Sequence, residues 1–477
     1  MSRWTFAKSA AGRLSAVIAV GAIAGMVIGG TATAATPAGG PNACSATQIQ
    51  LAAGLTLRTV ALSGGPVKDT GGADMGIVKS DGDMMVVSPD GRFIYWVNEV
   101  NTGGQVLRTD VASGETVLIA QSGIIEVDAD GKQILDGGSP ANGWRRLDPI
   151  RWMPNGWLMI GEEATAGRNY AVNPVTGDFH ALDATGWFEH EGIVLTADGT
   201  LYEGDESRGG GLWKFVPSNA DYTAGKLSYL LKDGSWKEVS DPKRAQATQL
   251  ADSSAAGFQR IEDMEIGPDG YIYGTETEFN VDGQLWHGGR VFRFKPGTTT
   301  TVETFVAGGA GFAIGAFQYP DNIVFDNKGN LLIAEDIPDD SANPPTNPAT
   351  KQFNNQQDDL WLVTPSKQTL RLGSLANSPK ATPCQNEWTG FAFSADYSTL
   401  YVHQQHAADS PLLALGNYQA AIAGFGGSGS APLPPNTGSS EGAANSAGRG
   451  EVLAGLGLLI VAVAVSGGWK VARRGRS

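Results

Sequence analysis

The middle of the chain repeats one hydrophobic pattern, in which an apolar strand, a tight turn and a second apolar strand follow each other. Six segments have this form: 84–91, 150–156, 193–199, 264–270, 323–329 and 391–397. Alternating apolar residues on both sides of a short turn predict two paired antiparallel strands. The first five turns end in Gly, which takes the positive φ that other residues resist. Each segment is therefore predicted to be a β-hairpin.

The spacing of the six hairpins predicts the fold. They recur at intervals of about 43 to 71 residues, which leaves room for two further strands and a loop in each unit. Four strands in each of six units are typical of a β-propeller. Sustained helical periodicity does not occur between the two termini. We therefore predict an all-β fold, a six-bladed β-propeller.

The N-terminal residues do not follow this repeat. Arg3, Lys8 and Arg13 precede an apolar run at 14–28, and a small-residue cleavage pattern follows at 32–34. This order is typical of a secretory signal. We expect residues 1–34 to be a signal peptide, with an N-terminal membrane anchor as the alternative, and residues 36–422 to be the β-propeller domain.

The C-terminal residues indicate attachment to the cell surface. Residues 424–450 are rich in Gly, Ser and Pro, as in a flexible linker. The apolar segment 452–469 is about long enough to cross a bilayer, and the basic residues in 470–477 favour a cytoplasmic tail. Residues 434–438, Pro-Pro-Asn-Thr-Gly, resemble a sortase sorting signal with Pro434 in place of Leu. We expect an extracellular protein anchored to membrane or cell wall.

Charge indicates which classes of binding partner the protein could have, and cysteine content indicates a possible disulfide. The net charge of the 477 residues is −15, and both ends are basic, so the predicted propeller is more acidic still. This disfavours nucleic acid and anionic membrane as partners and favours divalent cations. The only two cysteines, Cys44 and Cys384, are expected to form a disulfide in an oxidising compartment, with two free thiols as the alternative. A monomer is the default expectation.

Acidic residues bracket the hairpins at a fixed spacing. In four successive repeats one acid lies eight residues before the turn Gly and another lies six after it: Asp148 and Glu162, Glu191 and Asp205, Glu262 and Glu276, Asp321 and Glu335. The start of one strand and the end of its antiparallel partner are neighbours. Further acids and histidines stand beside these positions: Asp83, Glu99, Glu163, Glu206, Asp263, Glu278, Asp336, Glu387, His403 and His406.

A radial arrangement of blades would bring these strand ends to one mouth of the central channel. Many carboxylates at one place persist only if they are protonated or bind cations. The pattern therefore predicts several hard cations with oxygen ligands, calcium first and magnesium or manganese next. The alternative is a set of solvated acidic strand ends. The sequence contains no phosphate-binding Gly loop, nucleophile elbow or His-Glu-x-x-His motif.

Several short motifs resemble the PhoX-type alkaline phosphatases. They occur at 188–192, 202–206 with 212–216, 260–263, 320–323 and 390–406, in family order over about 260 residues. The resemblance implies a six-bladed propeller with calcium ions and an iron pair at one mouth, which hydrolyses phosphomonoesters outside the cytoplasm. In the family a cysteine bridges the metals just before two glutamates, and here that position is Gly161. The Pro-Gly after the last Gln-His pair is replaced by Ala407-Ala408, and no twin-arginine signal is present.

The resemblance also implies roles for individual residues. Glu191 and Glu262 would bind iron or another transition metal, and Arg260 would bind the phosphate. Further metal ligands would be Glu162, Glu163, Asp205, Glu206, Asp321 and Glu335. The spacing adds Asp148, Asp263 and Glu276 to the candidate ligands.

Three functions remain open at this point. The first is a surface-anchored, metal-dependent phosphomonoester hydrolase in which Glu191, Glu262 and Arg260 are catalytic. The second is a calcium-stabilised propeller without catalysis that acts as a surface binding module. The third is a metal-dependent lactonase or other esterase, since fold alone does not decide between chemistries.

Overall fold

The computed structural model describes residues 49–136, 139–281, 284–286, 288–308, 317–336, 357–376, 387–407 and 409–423. The predicted signal peptide, linker, apolar span and basic tail lie outside these ranges, as do Cys44 and Cys384. Within these ranges no helix is both long and apolar enough to cross a membrane.

Strands dominate the structure, with two short α-helices and single 3₁₀ turns at Asp183–Thr185 and Pro242–Arg244. The helices are α1 (Ala245–Leu250) and α2 (Tyr418–Ile422). The strands are β1 (Ile49–Leu51), β2 (Thr56–Ala61), β3 (Pro66–Asp69), β4 (Asp74–Ile77), β5 (Gly82–Val87), β6 (Phe93–Asn98), β7 (Gln105–Asp110), β8 (Thr116–Gln121), β9 (Leu135–Asp136), β10 (Ser139–Pro140), β11 (Leu147–Trp152), β12 (Leu158–Glu162), β13 (Asn169–Val172), β14 (Phe179–Ala181), β15 (His190–Leu195), β16 (Leu201–Asp205), β17 (Leu212–Pro217), β18 (Gly225–Leu230), β19 (Trp236–Glu238), β20 (Gln259–Ile266), β21 (Ile272–Val281), β22 (Gln284–Trp286), β23 (Arg290–Phe294), β24 (Glu303–Ala307), β25 (Pro320–Phe325), β26 (Leu331–Glu335), β27 (Gln357–Val363), β28 (Thr369–Ala376), β29 (Glu387–Phe393), β30 (Leu400–Gln405) and β31 (Leu412–Gly416).

Six of the sheets are the blades of a β-propeller, which confirms the predicted fold. Blade 1 contains β5–β8 with β3 and β4, blade 2 contains β11–β14, and blade 3 contains β15–β19. Blade 4 contains β20, β21, β23 and β24, blade 5 contains β25–β28 with β1, and blade 6 contains β29–β31 with β2. The first strand of each blade contacts the first strand of the next, from β5 through β11, β15, β20, β25 and β29 back to β5. These six strands surround the central axis.

The beginning of the described chain closes the ring. Strand β2 pairs antiparallel with β31 in blade 6, with Thr56 opposite Gly416. Strand β1 pairs antiparallel with β28 in blade 5, with Ile49 opposite Leu375. The last two blades are thus completed by strands that precede the first blade in sequence.

The apolar core is divided among the interfaces between blades. Six buried clusters each join residues of two adjacent blades, as where Phe188 of blade 3 packs in one cluster with Met159 of blade 2. Both faces of a blade are covered by its neighbours, so residues on both sides of each strand are apolar. Burying one such large side chain contributes about 1.5–3 kcal/mol.

All six hairpins share one irregularity. In each, the pairing between the first two strands shifts by one residue near the start of the first strand, as between Leu147 and Ile150 in blade 2. Such a β-bulge inserts one residue and redirects the side chains beside it. The bulges lie at the end of each hairpin opposite its turn, where the acidic residues are.

Candidate active site

In five of the six blades the bulge carries an acidic residue. The residue directly after the last regular pair is Asp83, Asp148, Glu191, Glu262 or Asp321, and we call these five the bulge acids. Blade 6 has Gly390 at this place. A Cβ atom on Gly390 would lie 2.3 Å from the backbone oxygen of Asp83, so the packing there admits no side chain.

The backbone before the bulge acids is also repeated. The residue two positions earlier has a positive φ in four blades: Asp81 (57°), Arg146 (44°), Arg260 (57°) and Tyr319 (45°). Non-glycine residues rarely adopt this conformation. The turn it makes, together with the bulge, directs the bulge acids toward the central axis.

The five bulge acids line one cavity of about 130 Å³ at the mouth of the channel. Five more carboxylates reach the same cavity, together with two arginines, one histidine and one glutamine. The full lining is Asp83, Glu99, Arg146, Asp148, Glu163, Glu191, Glu206, Arg260, Glu262, Asp321, Asp336, Glu387, Gln405 and His406. Of the predicted site residues, Asp148, Glu163, Glu191, Glu206, Arg260, Glu262 and Asp321 lie here.

The acids six residues after each turn do not line the cavity. Glu162 Oε1 accepts the backbone N–H of Arg145 at 2.9 Å, and Glu335 Oε1 accepts that of Gln318 at 2.8 Å. Glu276 Oε1 accepts the backbone N–H of Gln259 at 2.7 Å. These carboxylates hold the segment that leads into each bulge.

Two further candidate ligands are likewise engaged by hydrogen-bond donors outside the cavity. Asp205 accepts the backbone N–H of Ser207 at 3.0 Å and its hydroxyl at 2.6 Å. Asp263 accepts Arg151 Nη2 at 2.9 Å and the backbone N–H of Ile323 at 3.1 Å. The structure thus separates the predicted ligands into a group at the cavity and a group that supports its walls.

Positive charges at the cavity tie carboxylates from different blades together. Arg260 Nη2 lies 2.7 Å from Glu206 Oε1 and 3.1 Å from Glu262 Oε1. His406 Nε2 lies 3.1 Å from Glu387 Oε1. The neutral side chain of Gln405 adds two bonds, since its Nε2 donates to Asp83 Oδ2 at 2.9 Å and to Glu99 Oε2 at 2.8 Å. The pattern of hydrophobic and acidic residues did not single out Gln405 as a ligand.

Arg146 is the cavity residue that the sequence analysis missed altogether. Its Nε donates to Glu99 Oε1 at 2.6 Å, and its Nη2 lies 2.5 Å from Glu163 Oε1. The one signal for it in the sequence is its position, two residues before a bulge acid, which Arg260 shares.

Burial and mutual repulsion raise the pKa values of the bulge acids. Burial, with the nearby charges of Glu99 and Glu387, raises the pKa of Asp83 to about 8. Burial likewise raises the pKa of Glu262 to about 8, although Arg260 opposes the shift. The pKa values of Asp148, Glu191 and Asp321 lie well above their ordinary range for the same reasons.

Two carboxyl groups at the cavity behave differently. Burial raises the pKa of Glu206, but Arg260 and Arg146 outweigh it and hold this pKa at about 2. His406 has the same effect on Glu387, whose pKa is also about 2 despite burial. These two carboxylates are therefore ionised at neutral pH, whereas burial and mutual repulsion favour the protonated form of the bulge acids.

The arrangement fits hard cations. Asp148 Oδ1 and Glu191 Oε2 are buried and have no hydrogen-bond donor among the residues the structure describes. Three sets of residues could each hold a cation, because within each set the ligand oxygens lie within 4.8 Å of one another. The sets are Asp83, Glu99 and Asp148; Asp148, Glu163 and Glu191; and Glu191, Glu262 and Asp321. An unpaired buried carboxylate oxygen is costly, and a cation removes that cost. Carboxylate oxygens are the ligands that calcium, magnesium and manganese prefer.

A thiolate-bridged metal pair does not fit at Gly161. A Cβ atom there would lie 2.7 Å from Asn169 Oδ1, from His190 Cβ and from Pro149 Cγ. His190 is fixed in turn, because its Nδ1 lies 2.8 Å from Glu203 Oε1. The described residues that line the cavity include no cysteine, so most of the donors available to a metal at this mouth are carboxylate oxygens, with His406 and Gln405 beside them.

Comparison with known proteins connects this site to one family. The family model for alkaline phosphatase PhoX matches residues 137–408. The structure of Pseudomonas fluorescens PhoX in complex with vanadate is 17% identical, with a TM-score of 0.60, covering 79% of this chain and 97% of that chain. This likeness shows a shared fold.

Two further solved structures are less similar to the chain. A gluconolactonase from Xanthomonas campestris is 11% identical, with a TM-score of 0.41 and coverage of 77% and 91%. The calcium-binding protein regucalcin from Agrobacterium tumefaciens is 13% identical, with a TM-score of 0.40 and coverage of 71% and 90%. A comparison with curated proteins gives no match. The PhoX model spans more than half of the 477 residues, from β10 to β30, and the chain therefore belongs to the PhoX alkaline phosphatase family.

Proposed function

We propose that this protein is a metal-dependent phosphomonoester hydrolase whose cations are held by the acidic cavity at one propeller mouth. The observation that carries the proposal is the pair of buried, unpartnered oxygens, Asp148 Oδ1 and Glu191 Oε2, inside overlapping sets of carboxylate ligands. Membership of the PhoX family favours hydrolysis over a binding module without catalysis.

The proposed ligands are the carboxylates of the three sets, which share Asp148 and Glu191 between neighbouring sites. Calcium suits these oxygens best, and a transition metal such as manganese would bind them as well. Bound cations supply charge to the oxygens of a phosphoryl group and lower the pKa of a bound water. The acids that bond to backbone N–H groups, such as Glu276, belong to the supporting structure and not to the ligand set.

Arg260 is the proposed phosphate-binding residue. Its guanidinium lies between Glu206 and Asp336, with Nη1 3.3 Å from Asp336 Oδ2. Glu206 remains ionised because its pKa is about 2, so it orients Arg260 at every physiological pH. A guanidinium held in this way presents a planar set of donors that matches two phosphoryl oxygens.

The proposed location is the outer face of the cell. The support for it comes from the sequence: a signal peptide at 1–34, a linker at 424–450 and an apolar span at 452–469 with a basic tail. The propeller, proposed to span 36–422 and to be tied by a Cys44–Cys384 disulfide, would then meet extracellular phosphoesters as a monomer. External protease on intact cells tests this, because it would release a propeller that faces outward.

Metal analysis combined with turnover tests the activity. Elemental analysis of the purified protein should find calcium or another divalent metal, and 4-nitrophenyl phosphate hydrolysis should stop on chelation and return with added metal. Glu262→Gln should abolish hydrolysis. Glu276→Gln, which alters the same blade outside the cavity, should retain it under saturating metal. A metal-loaded protein that hydrolyses no phosphomonoester would contradict the proposal, and turnover of a lactone instead would indicate the esterase alternative.

A further inference from the structure

Arg146 occupies in blade 2 the place that Arg260 occupies in blade 4. Each lies two residues before a bulge acid, Asp148 or Glu262, and each has a positive φ, of 44° and 57°. The other blades do not repeat this, since Asp81, Glu189 and Tyr319 stand at the same point in blades 1, 3 and 5. Two guanidinium groups thus enter the cavity on equivalent backbone turns.

The contacts of the two arginines are of the same kind. Arg146 bridges Glu99 of blade 1 and Glu163 of blade 2, as Arg260 bridges Glu206 of blade 3 and Glu262 of blade 4. Both arginines line the cavity that Glu163, Glu206 and Glu262 also line. Both therefore act on the same acidic part of the cavity between blades 2 and 4.

Arg146 is the more accessible of the two. Its side chain is 40% exposed, against 19% for Arg260. Its Nε and Nη2 contact carboxylates, while its Nη1 has no hydrogen-bonding partner in the part of the chain that the structure describes. The Arg146 Nη1 group is therefore available to donate a hydrogen bond to an anion at the cavity.

We propose that Arg146 is a second phosphate-binding residue and that it acts with Arg260 to select phosphomonoester dianions. The proposal rests on the proposed phosphatase function. A monoester carries three terminal oxygens and about two negative charges at neutral pH, enough for two guanidinium groups and the cations. A diester carries one charge and two terminal oxygens, so it leaves one guanidinium without a partner. Arg146 then contributes to binding of the monoester and little to that of the diester.

The test compares Arg146→Gln and Arg146→Lys with the wild-type protein under saturating calcium. The substrates are 4-nitrophenyl phosphate and bis(4-nitrophenyl) phosphate, and inorganic phosphate serves as a competing ligand. Loss of one charge-assisted contact should lower kcat/KM for the monoester about 10- to 100-fold, mainly through KM, and weaken phosphate binding to a similar degree. The diester rate should change little. The kcat/KM of Arg146→Lys for the monoester should lie between those of the wild type and Arg146→Gln, because Lys keeps the charge but lacks the planar set of donors.

The control is Arg92→Gln, which removes an exposed arginine that lies in the hairpin turn of blade 1, pairs with Asp110 and does not line the cavity. Metal content and thermal stability are measured for every variant, so that loss of cations or of folding is recognised. Equal losses for monoester and diester, or unchanged phosphate affinity in Arg146→Gln, would overturn the proposal.

Phosphate affinity is also measured calorimetrically without turnover. If the wild-type protein binds phosphate through Arg146 but hydrolyses no ester, the proposed function fails and the anion site remains. If hydrolysis persists in Arg146→Gln with unchanged monoester preference, the anion site fails and the function remains.

Discussion

Gln259 donates its backbone N–H to Glu276 Oε1 at 2.7 Å, and the same bond recurs between two other pairs seventeen residues apart. Arg145 bonds to Glu162, and Gln318 bonds to Glu335, in the same way. In each pair the donor lies three residues before a bulge acid. These glutamates therefore hold the backbone that leads to the bulge acid of their own blade.

Replacing Glu276 with Ala should destabilise the fold without removing a metal ligand. The change breaks the bond to Gln259 and removes the carboxylate that accepts Arg290 Nε at 2.7 Å, so that, among the described residues, Arg290 keeps only its hydrogen bond to Thr304. We expect the free energy of unfolding to fall by about 1–3 kcal/mol, the cost of unpaired buried groups. Denaturant unfolding and elemental analysis check this. Glu238→Ala, at an exposed ion pair, is the control, and loss of bound metal from Glu276→Ala would contradict the assignment.

Replacing Glu191 with Gln should change stability in opposite directions with and without metal. Glu191 is buried beside Asp148 and Glu163, which repel its charge. In chelator at pH 8 the variant should therefore have a higher Tm than the wild type, because Gln is neutral without a proton, whereas burial and these neighbours make the Glu191 carboxylate costly to keep charged or to protonate on folding. With calcium the order should reverse, because a ligand is lost. Calorimetric scans in both conditions check this, and an unchanged order would show that Glu191 does not bind the ion.

The metal-free protein should lose stability as the pH rises. Burial raises the pKa of Asp83 and Glu262 to about 8, above their unfolded values of 3.8 and 4.5. The folded state then holds protons that the unfolded state has released, so this contribution is complete below about pH 4 and is lost as the pH approaches 8. Thermal denaturation in chelator should give a lower Tm at pH 8 than at pH 5.5.

Calcium should remove this pH dependence, because it replaces the protons on the bulge acids. A metal-free Tm that rises between pH 5.5 and pH 8 would mean that these acids are not protonated in the fold.

Replacing Gly161 with Cys should destabilise the protein and should not create an iron–thiolate centre. The new Cβ would lie 2.7 Å from Asn169 Oδ1, His190 Cβ and Pro149 Cγ. Forcing extra atoms into such packing costs about 1–3 kcal/mol. Thermal unfolding should show the loss, with Gly161→Ala as the steric control that carries no sulfur. A stable variant with a visible thiolate-to-iron absorption band would refute this.

The sequence predicted the propeller well because its signal is repeated. Six similar hairpins with alternating apolar residues can be recognised from spacing alone, and the structure confirms the six blades. The spacing also indicated that Glu191 and Glu262, with Asp148 and Asp321, approach one mouth, where the structure places them.

The roles of the second acids could not be predicted from spacing. Glu162 and Glu163 are adjacent, and successive side chains of a strand point to opposite faces. Glu162 accepts the backbone N–H of Arg145, whereas Glu163 contacts the Arg146 guanidinium at the cavity, and the spacing in the sequence does not distinguish these two roles. Arg146 was missed because its approach to the cavity depends on a positive φ that is unusual for arginine.

The ring closure described for β2 and β31 has a consequence for how the chain reaches its final state. Thr56 must meet Gly416, so the seam joins segments that leave the ribosome far apart in time. Contacts with such large sequence separation form slowly, because the loop must close before they stabilise anything. Blades 2 to 4 are built from continuous stretches of the chain, so they can assemble before β2 pairs with β31. The ring can therefore close only after the chain has been synthesised as far as Gly416, whatever blades have formed before that point.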